Sequence, residues 1–228
     1  MFGFFYDPTY ILVLPAIALV MWAQFRVKSV FQEYSKVGTR AGVTAADVAK
    51  QILQENGIYD VRVEFVNGFL SDHYDPKEKV VRLSASTYDS RSIAAIGVAA
   101  HEVGHVIQHQ HAYVPLTMRN MIFPIARIGD TLGLPLGILG YFMGFPLLID
   151  IGIIIFSVAV GFYIVTLPVE YNASSRAVAI LEHGGYLTRE ETQGARKVLN
   201  AAALTYVASA AVAIMNLIRL LILRDRRD

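Results

Sequence analysis

Two histidines stand four positions apart, with a glutamate directly after the first, in the run His101-Glu102-Val103-Gly104-His105. On an α-helix, residues four positions apart lie on one face about one turn from each other, so both imidazoles can bind a single zinc ion. The glutamate then lies beside the open side of the ion, where its carboxylate can take a proton from a water molecule and pass it to a leaving amine. We therefore predict that His101 and His105 bind zinc and that Glu102 is the general base.

The competing interpretation of this run is a pair of histidines on a buried helix face that form ordinary hydrogen bonds. That arrangement would bury Glu102 between them without a compensating charge, which is costly. The metal site is therefore the favoured interpretation.

A catalytic zinc ion usually has three protein ligands and one water molecule, so one ligand remains to be found. His111 has the spacing of the metzincin pattern, H-E-x-x-H-x-x-G-x-x-H, in which the glycine ends the helix and the chain bends back. Gln108 stands at the position of that glycine. A glutamine lets the helix continue, which would carry His111 away from the metal. His109 lies two turns beyond His101 on the same face of the helix and is a weaker candidate for the third ligand.

Glu170 is the second candidate for the third ligand. It comes just after a predicted membrane span, and two spans separate it from His105. An even number of crossings returns the chain to the same face of the membrane, so this carboxylate can meet the two histidines. The competing interpretation is a helix-terminal glutamate beside Pro168, stabilised by the helix dipole. We favour Glu170 as the ligand and keep His111 as the alternative.

The composition of the chain is that of a membrane protein. Of its 228 residues 54% are hydrophobic, and they are clumped into long runs. The formal net charge of +1 gives no general basic field of the kind that attracts nucleic acid, so we expect no nucleic-acid partner. The absence of cysteine excludes disulfides and thiolate metal ligands, which leaves histidine and carboxylate side chains.

Four apolar runs are long enough to cross a bilayer as helices, and they define the predicted organisation. The predicted spans are 8–25, 121–145, 147–167 and 201–223. Residues 26–118 form a cytoplasmic lobe with the active-site helix at 90–110, and residues 169–197 form a cytoplasmic helical segment. Asp7 and Pro8 are typical of an N-cap and a first helical position, which predicts an uncleaved anchor. The predicted fold class is mainly α, a single membrane domain over residues 1–228 that combines a helical bundle with a small α+β zincin-like lobe.

The lobe is predicted to contain a small sheet. Val61, Val63 and Phe65 alternate with polar residues, as in a half-buried strand, and the run Val80–Leu83 predicts a second strand. Turn residues between them favour a β-meander. The second strand could also pair its edge with an extended peptide, and the competing interpretation is an ordinary sheet strand.

Positive charges near the ends of the predicted spans indicate the orientation. Those on one side are Arg26, Lys28, Arg119, Arg176, Arg196 and Lys197, whereas the turn 141–150 has none. Because cytoplasmic loops are enriched in Lys and Arg, this side is predicted to be cytoplasmic. Arg224, Arg226 and Arg227 oppose this orientation if the last helix crosses fully. We predict a multi-pass protein of the bacterial cytoplasmic membrane with its active site facing the cytoplasm.

Three stretches resemble the YugP-type family of bacterial neutral zinc metallopeptidases: 101–105, Leu167-Pro168-Val169-Glu170-Tyr171-Asn172-Ala173-Ser174 and Asp72-His73-Tyr74-Asp75-Pro76. The resemblance extends to 195–203 and covers nearly the whole chain. It implies an integral membrane protein of the gluzincin kind with Glu170 as the third zinc ligand. The chain is also distantly similar to the membrane proteases that include the bacterial heat-shock type and the prenyl-protein endopeptidase. Those commonly have an aspartate where this chain has Ser174, whose hydroxyl orients an imidazole only weakly.

Weaker candidates for substrate contact lie outside these ligands. His73 could contact substrate, and its competing interpretation is a hydrogen-bonded loop histidine. Arg176, His183 or Tyr186 could stabilise the oxyanion of a tetrahedral intermediate, and spacing does not choose among them. An ordinary salt bridge on a helix surface is the competing interpretation for Arg176.

The sequence therefore predicts a membrane-embedded endopeptidase with one catalytic Zn²⁺ ion, which hydrolyses peptide bonds of membrane or membrane-proximal proteins. Its expected partners are the lipid bilayer and a protein or peptide substrate, and its oligomeric state is left open. One alternative is an inactive membrane scaffold of the same fold, although retention of Glu102 beside the ligands argues against it. Another is a zinc hydrolase that acts on a non-peptide bond.

Overall fold

The computed structural model describes residues 8–226, so the predicted N-cap Asp7 lies outside the described residues. After a short 3₁₀ turn, Pro8–Leu12, the elements follow in chain order: α1 Leu14–Tyr34, α2 Ala45–Glu55, β1 Arg62–Val66, β2 His73–Asp75, β3 Val80–Ser84, α3 Ile93–Gln110, α4 Val114–Ile128, α5 Leu134–Met143, α6 Pro146–His183 and α7 Arg189–Asp225. The fold is mainly α with one small sheet, which confirms the predicted class.

The chain divides into two compact units. The apolar unit consists of the residues through Gln24, Thr117–Pro168 and those from Thr205 onward. The polar unit consists of Phe25–Leu116 and Val169–Leu204. The helical run that carries Glu170 therefore contributes to the polar unit, together with the run 101–105.

Four helical segments among residues 8–226 are long and apolar enough to cross a membrane: Leu14–Tyr34, Val114–Met143, Pro146–His183 and Arg189–Asp225. The second is continuous because a π-helical turn, Gly129–Gly133, joins α4 to α5. The third continues through Pro168, which lies inside α6 and does not end it. The expectation of four apolar helices of spanning length is confirmed.

Glycines let helices of the apolar unit approach each other closely. A Cβ atom at Gly152 of α6 would lie 2.5 Å from the backbone nitrogen of Gly137 of α5, and one at Gly133 would lie 2.6 Å from the Cβ of Phe156. Small residues are typical of packed helices in membranes, where burial of apolar surface gives little drive between helices. The α5–α6 hairpin therefore depends on backbone contact.

Arg224, one of the C-terminal arginines whose positions oppose the predicted orientation, forms an ion pair. In the apolar unit the Nε of Arg224 donates to Oδ1 of Asp150 at 2.6 Å. Asp150 thus neutralises a cation that follows the fourth predicted span. The predicted orientation becomes easier to reconcile with the C-terminal charges, and it stays a prediction.

The three-stranded sheet of the polar unit has the order β1-β3-β2, with β3 parallel to β1 and antiparallel to β2. The predicted β-meander is therefore wrong. Val80, Val81 and Leu83 are fully buried, and a strand that is buried on both faces belongs at the centre of a sheet. Because β3 is paired on both sides, the proposal that Val80–Leu83 offers a free edge to a peptide is also wrong.

Helix α3 packs against the part of α6 that belongs to the polar unit, at a close backbone contact. A Cβ atom at Gly104 would lie 2.7 Å from the carbonyl oxygen of Ala173. The surrounding core includes the buried side chains of Ile96, Val103 and Leu181. Glycine at position 104 thus sets the distance between the two helices that carry the predicted zinc ligands.

Gly104→Ala should destabilise the polar unit by about 1–3 kcal/mol, because the added methyl group overlaps a backbone oxygen that cannot move alone. Thermal unfolding in detergent measures the change as a lower Tm. Gly161→Ala is the matched control, since Gly161 is also helical and a Cβ atom there meets nothing within 4 Å. Equal Tm values for the two variants would contradict the close contact.

Candidate metal centre

Helix α3 carries both histidines and the glutamate in its middle turns. It begins after Ser92, whose Oγ accepts a hydrogen bond from the backbone N–H of Ala95 at 3.2 Å and so satisfies one amide of the first turn. It ends at Gln110, and His111 is the C-cap residue, whose backbone N–H donates to the carbonyl of Ile107 at 3.0 Å. The helix is regular between these caps, so the predicted one-turn spacing is realised.

The structure brings His101, His105 and Glu170 together. Oε2 of Glu170 lies 3.3 Å from Nε2 of His101 and 3.6 Å from Nε2 of His105. The two imidazole rings are nearly perpendicular, at 83°, with centroids 4.7 Å apart. Within residues 8–226 these side chains form the one group of three or more His, Asp and Glu that can hold a metal ion.

The distances between these atoms fit a zinc ion. Ligand atoms at about 2.0–2.1 Å from a tetrahedral zinc lie about 3.3 Å from one another. The separations of 3.3 and 3.6 Å match this edge and exceed the range of about 2.7–3.2 Å that is usual for N–H···O hydrogen bonds. Two imidazoles and one carboxylate are also a ligand set that catalytic zinc sites use.

Glu170 reaches the histidines from α6, which continues without a break past Pro168. Its carboxylate belongs to a residue that is only 2% exposed, and His105 is 9% exposed. Burial of a carboxylate is costly unless positive charge or hydrogen-bond donors compensate it. Between two imidazoles this carboxylate is placed where a divalent cation would compensate it.

Glu102 lies on α3 between the two histidines and is likewise buried. Burial raises the pKa of the Glu102 carboxyl above its ordinary value, and the two neighbouring histidines oppose this shift. A carboxylate with a raised pKa is a stronger proton acceptor. The residue thus has the environment that a general base requires.

Gln108 is a part of the site that the sequence analysis missed, since it was considered only as a residue that lets α3 continue. It is fully buried, and its Oε1 accepts a hydrogen bond from Nδ1 of His105 at 3.0 Å. Its Nε2 donates to the backbone carbonyl of Val169 at 2.8 Å and to Oδ1 of Asn172 at 3.0 Å. The signal was its position three residues after His105, which places both on one face of the helix.

Ser174 stands beside the other histidine. Its Oγ lies 3.1 Å from Nδ1 of His101, one helical turn after Glu170 on α6. The position that carries aspartate in the distantly similar proteases is thus in contact with a predicted zinc ligand here. The serine supplies one neutral hydrogen bond in place of a charged one.

The remaining histidines lie outside the three-residue group. Nδ1 of His109 is 2.9 Å from the hydroxyl of Tyr74, and His111 is the helix cap described above. His73 is exposed on β2, with its Nδ1 2.9 Å from the carbonyl of Ser71. The structure therefore places the favoured third ligand, Glu170, beside His101 and His105. The alternative, His111, lies outside this group.

The candidates for substrate contact have separate surroundings. His183 is exposed, with its Nδ1 2.8 Å from the carbonyl of Ala179. The Nε of Arg176 donates to Oδ1 of Asn172 at 2.8 Å. Asn172 also accepts from Gln108, the residue that contacts His105. Tyr186 is buried in the core of the polar unit. Burial, together with the nearby Glu55 carboxylate, raises the pKa of the Tyr186 hydroxyl above its ordinary value.

Comparison with known proteins identifies the family of this chain. Residues 9–225 match the model of a family described as "Putative neutral zinc metallopeptidase". The chain is 50% identical over 218 residues to the "Putative membrane protease YugP" of Bacillus subtilis (strain 168), an alignment that covers 95% of this chain and 97% of that protein. No solved structure matches the chain with statistical significance.

The assignment of the third ligand predicts a difference between two alanine variants. Glu170→Ala should lower zinc affinity by more than about 100-fold, because it removes a ligand and leaves two imidazoles alone at the ion. His111→Ala should retain the zinc of the wild-type protein. Metal analysis after dialysis against a chelator measures both, and loss of zinc in His111→Ala with retention in Glu170→Ala would reverse the assignment.

Proposed function

This chain belongs to the family described as "Putative neutral zinc metallopeptidase", and from that premise we propose that it is an endopeptidase that hydrolyses peptide bonds of membrane or membrane-proximal proteins. The observation that carries the proposal is the approach of His101, His105 and Glu170 with separations that suit one zinc ion. Glu102 on the same helical turn completes the set of groups that peptide hydrolysis requires.

The proposed roles follow from the chemistry of each side chain. His101 and His105 present Nε2 atoms, and Glu170 a carboxylate oxygen, to a shared point. A zinc ion supplies Lewis acidity at such a site, since it lowers the pKa of a water molecule and polarises a carbonyl group. Glu102 accepts a proton from the attacking water on its carboxylate and donates that proton to the leaving amine.

Support for a membrane setting comes from the four apolar helices and from the relative whose name describes a membrane protease. We place the protein in the bacterial cytoplasmic membrane, with the site on the cytoplasmic side, because Lys and Arg near the span ends favour that orientation. Its partners are then the lipid bilayer and a protein or peptide substrate. Contacts to substrate at His73, His183 or Arg176 stay predictions.

Purified protein in detergent, supplied with zinc and unfolded casein, should cleave the casein. Glu102→Gln should lower the rate by at least about 100-fold, since the amide cannot accept the proton, yet it should retain zinc because it keeps all three ligands. Cleavage fragments and zinc content are measured on the same preparations. The matched substitution Glu190→Gln, on the exposed first turn of α7, should leave both values unchanged.

Each other outcome of this experiment points to a different function. Equal cleavage by wild type and Glu102→Gln would show a contaminating protease and remove the support for Glu102 as the base. Bound zinc without cleavage of casein by the wild-type protein would favour a scaffold or a hydrolase of a non-peptide bond.

A further inference from the structure

A chain of hydrogen bonds leads from the surface of α6 to the back of His105. Nε of Arg176 donates to Oδ1 of Asn172 at 2.8 Å. The same Oδ1 accepts from Nε2 of Gln108 at 3.0 Å, and Oε1 of Gln108 accepts from Nδ1 of His105 at 3.0 Å. All four residues belong to the polar unit.

The backbone carbonyl of Val169 fixes the orientation of the Gln108 amide. A carbonyl oxygen can only accept, so the Gln108 atom that lies 2.8 Å from it must be the NH₂ group. Reversal of the amide would place two oxygens against each other inside the protein. Oε1 of Gln108 must therefore face His105.

Asn172 fixes the same orientation independently. The Nε–H of Arg176 can only donate, so the Asn172 atom next to it must be the carbonyl oxygen. An oxygen at that position can accept from Gln108 as well, and it again requires the NH₂ group of Gln108 on that side. Two acceptors of α6, one a backbone carbonyl and the other a side-chain oxygen, thus agree on one arrangement.

The fixed amide sets the tautomer of His105. Oε1 of Gln108 has no hydrogen, so the hydrogen bond between them requires a proton on Nδ1 of the imidazole. A neutral ring with its proton on Nδ1 has its lone pair on Nε2, the atom that faces Glu170 at 3.6 Å. His105 is thereby held in the form that binds a metal ion.

His101 has no comparable constraint from its hydrogen-bond partner. The hydroxyl of Ser174 can donate or accept, because it rotates about its C–O bond, so it is compatible with either tautomer. Gln108 by contrast is fully buried and uses both N–H groups and its oxygen. His105 is therefore the member of the pair whose tautomer is fixed by its hydrogen-bond partner.

We propose that Gln108, held by Asn172 and Arg176, is a positioning residue that keeps the proton of His105 on Nδ1 and directs its Nε2 to the metal. The proposal rests on the zinc site of the proposed function and not on peptide hydrolysis itself. It assigns to Arg176 a structural link to the site through Asn172.

Gln108→Met tests the proposal because methionine fills a similar volume and forms none of the three hydrogen bonds. Zinc affinity, measured by competition with a chromogenic chelator, should fall about 10- to 100-fold. The visible absorption bands of the cobalt(II)-substituted protein should also change, which a loss of overall stability alone would not produce. Wild-type affinity together with an unchanged cobalt spectrum would overturn the proposal.

A second pair of variants keeps the proposal testable if Gln108→Met does not fold. Asn172→Asp retains an oxygen that accepts from both Arg176 and Gln108, so it should bind zinc as the wild-type protein does. Asn172→Leu removes that acceptor and should bind zinc more weakly. Equal affinities in the two variants would contradict the network.

The failure of this proposal can be told apart from failure of the proposed function. A wild-type protein that binds zinc and does not cleave casein contradicts the peptidase, while the chelator measurements on Gln108→Met still decide the role of the glutamine. A wild-type protein that binds no zinc would overturn the metal site and the positioning role together.

Discussion

The close packing of α3 against the polar-unit part of α6 is the constraint on which the site depends. At the contact, the backbone of Gly104 lies against the carbonyl of Ala173. These residues stand within one helical turn of His101 and His105 on one helix, and of Glu170 on the other. Helical residues three and four apart share a face, so a contact at this point aligns the ligands of both helices. A larger residue at position 104 would separate the two halves of the candidate metal centre.

Burial adds a second requirement, because a carboxylate and two imidazoles are held away from water. Buried polar groups are tolerated only when each has a partner, and a partly satisfied network is worse than an apolar core. Here the ring nitrogens that face away from Glu170 contact Gln108 and Ser174. The outer nitrogen of each histidine therefore has a hydrogen-bond partner, and the inner nitrogens face Glu170 at the candidate metal site.

Local periodicity predicts one part of the candidate site and the chain topology another. The i, i+4 spacing is sufficient to predict that His101 and His105 share a helix face, and the parity of membrane crossings and the family resemblance predict that Glu170 meets them. The sheet order was not predictable, since a parallel β1–β3 pair depends on the burial of a whole strand in tertiary contacts. Continuation of α6 through Pro168 likewise depends on packing that outweighs the cost of a missing hydrogen bond.

Position 108 decides between the two kinds of metal site that the sequence allowed. A glycine there would end the helix and let the following chain return a third histidine to the metal. Glutamine instead continues α3 to Gln110, which leaves His111 at the cap, and its side chain binds α6 at Val169 and Asn172. Those two contacts flank Glu170 in the chain. Gln108 thus has two effects. It continues α3, which keeps His111 away from the other two histidines, and its side chain binds the segment of α6 that carries Glu170.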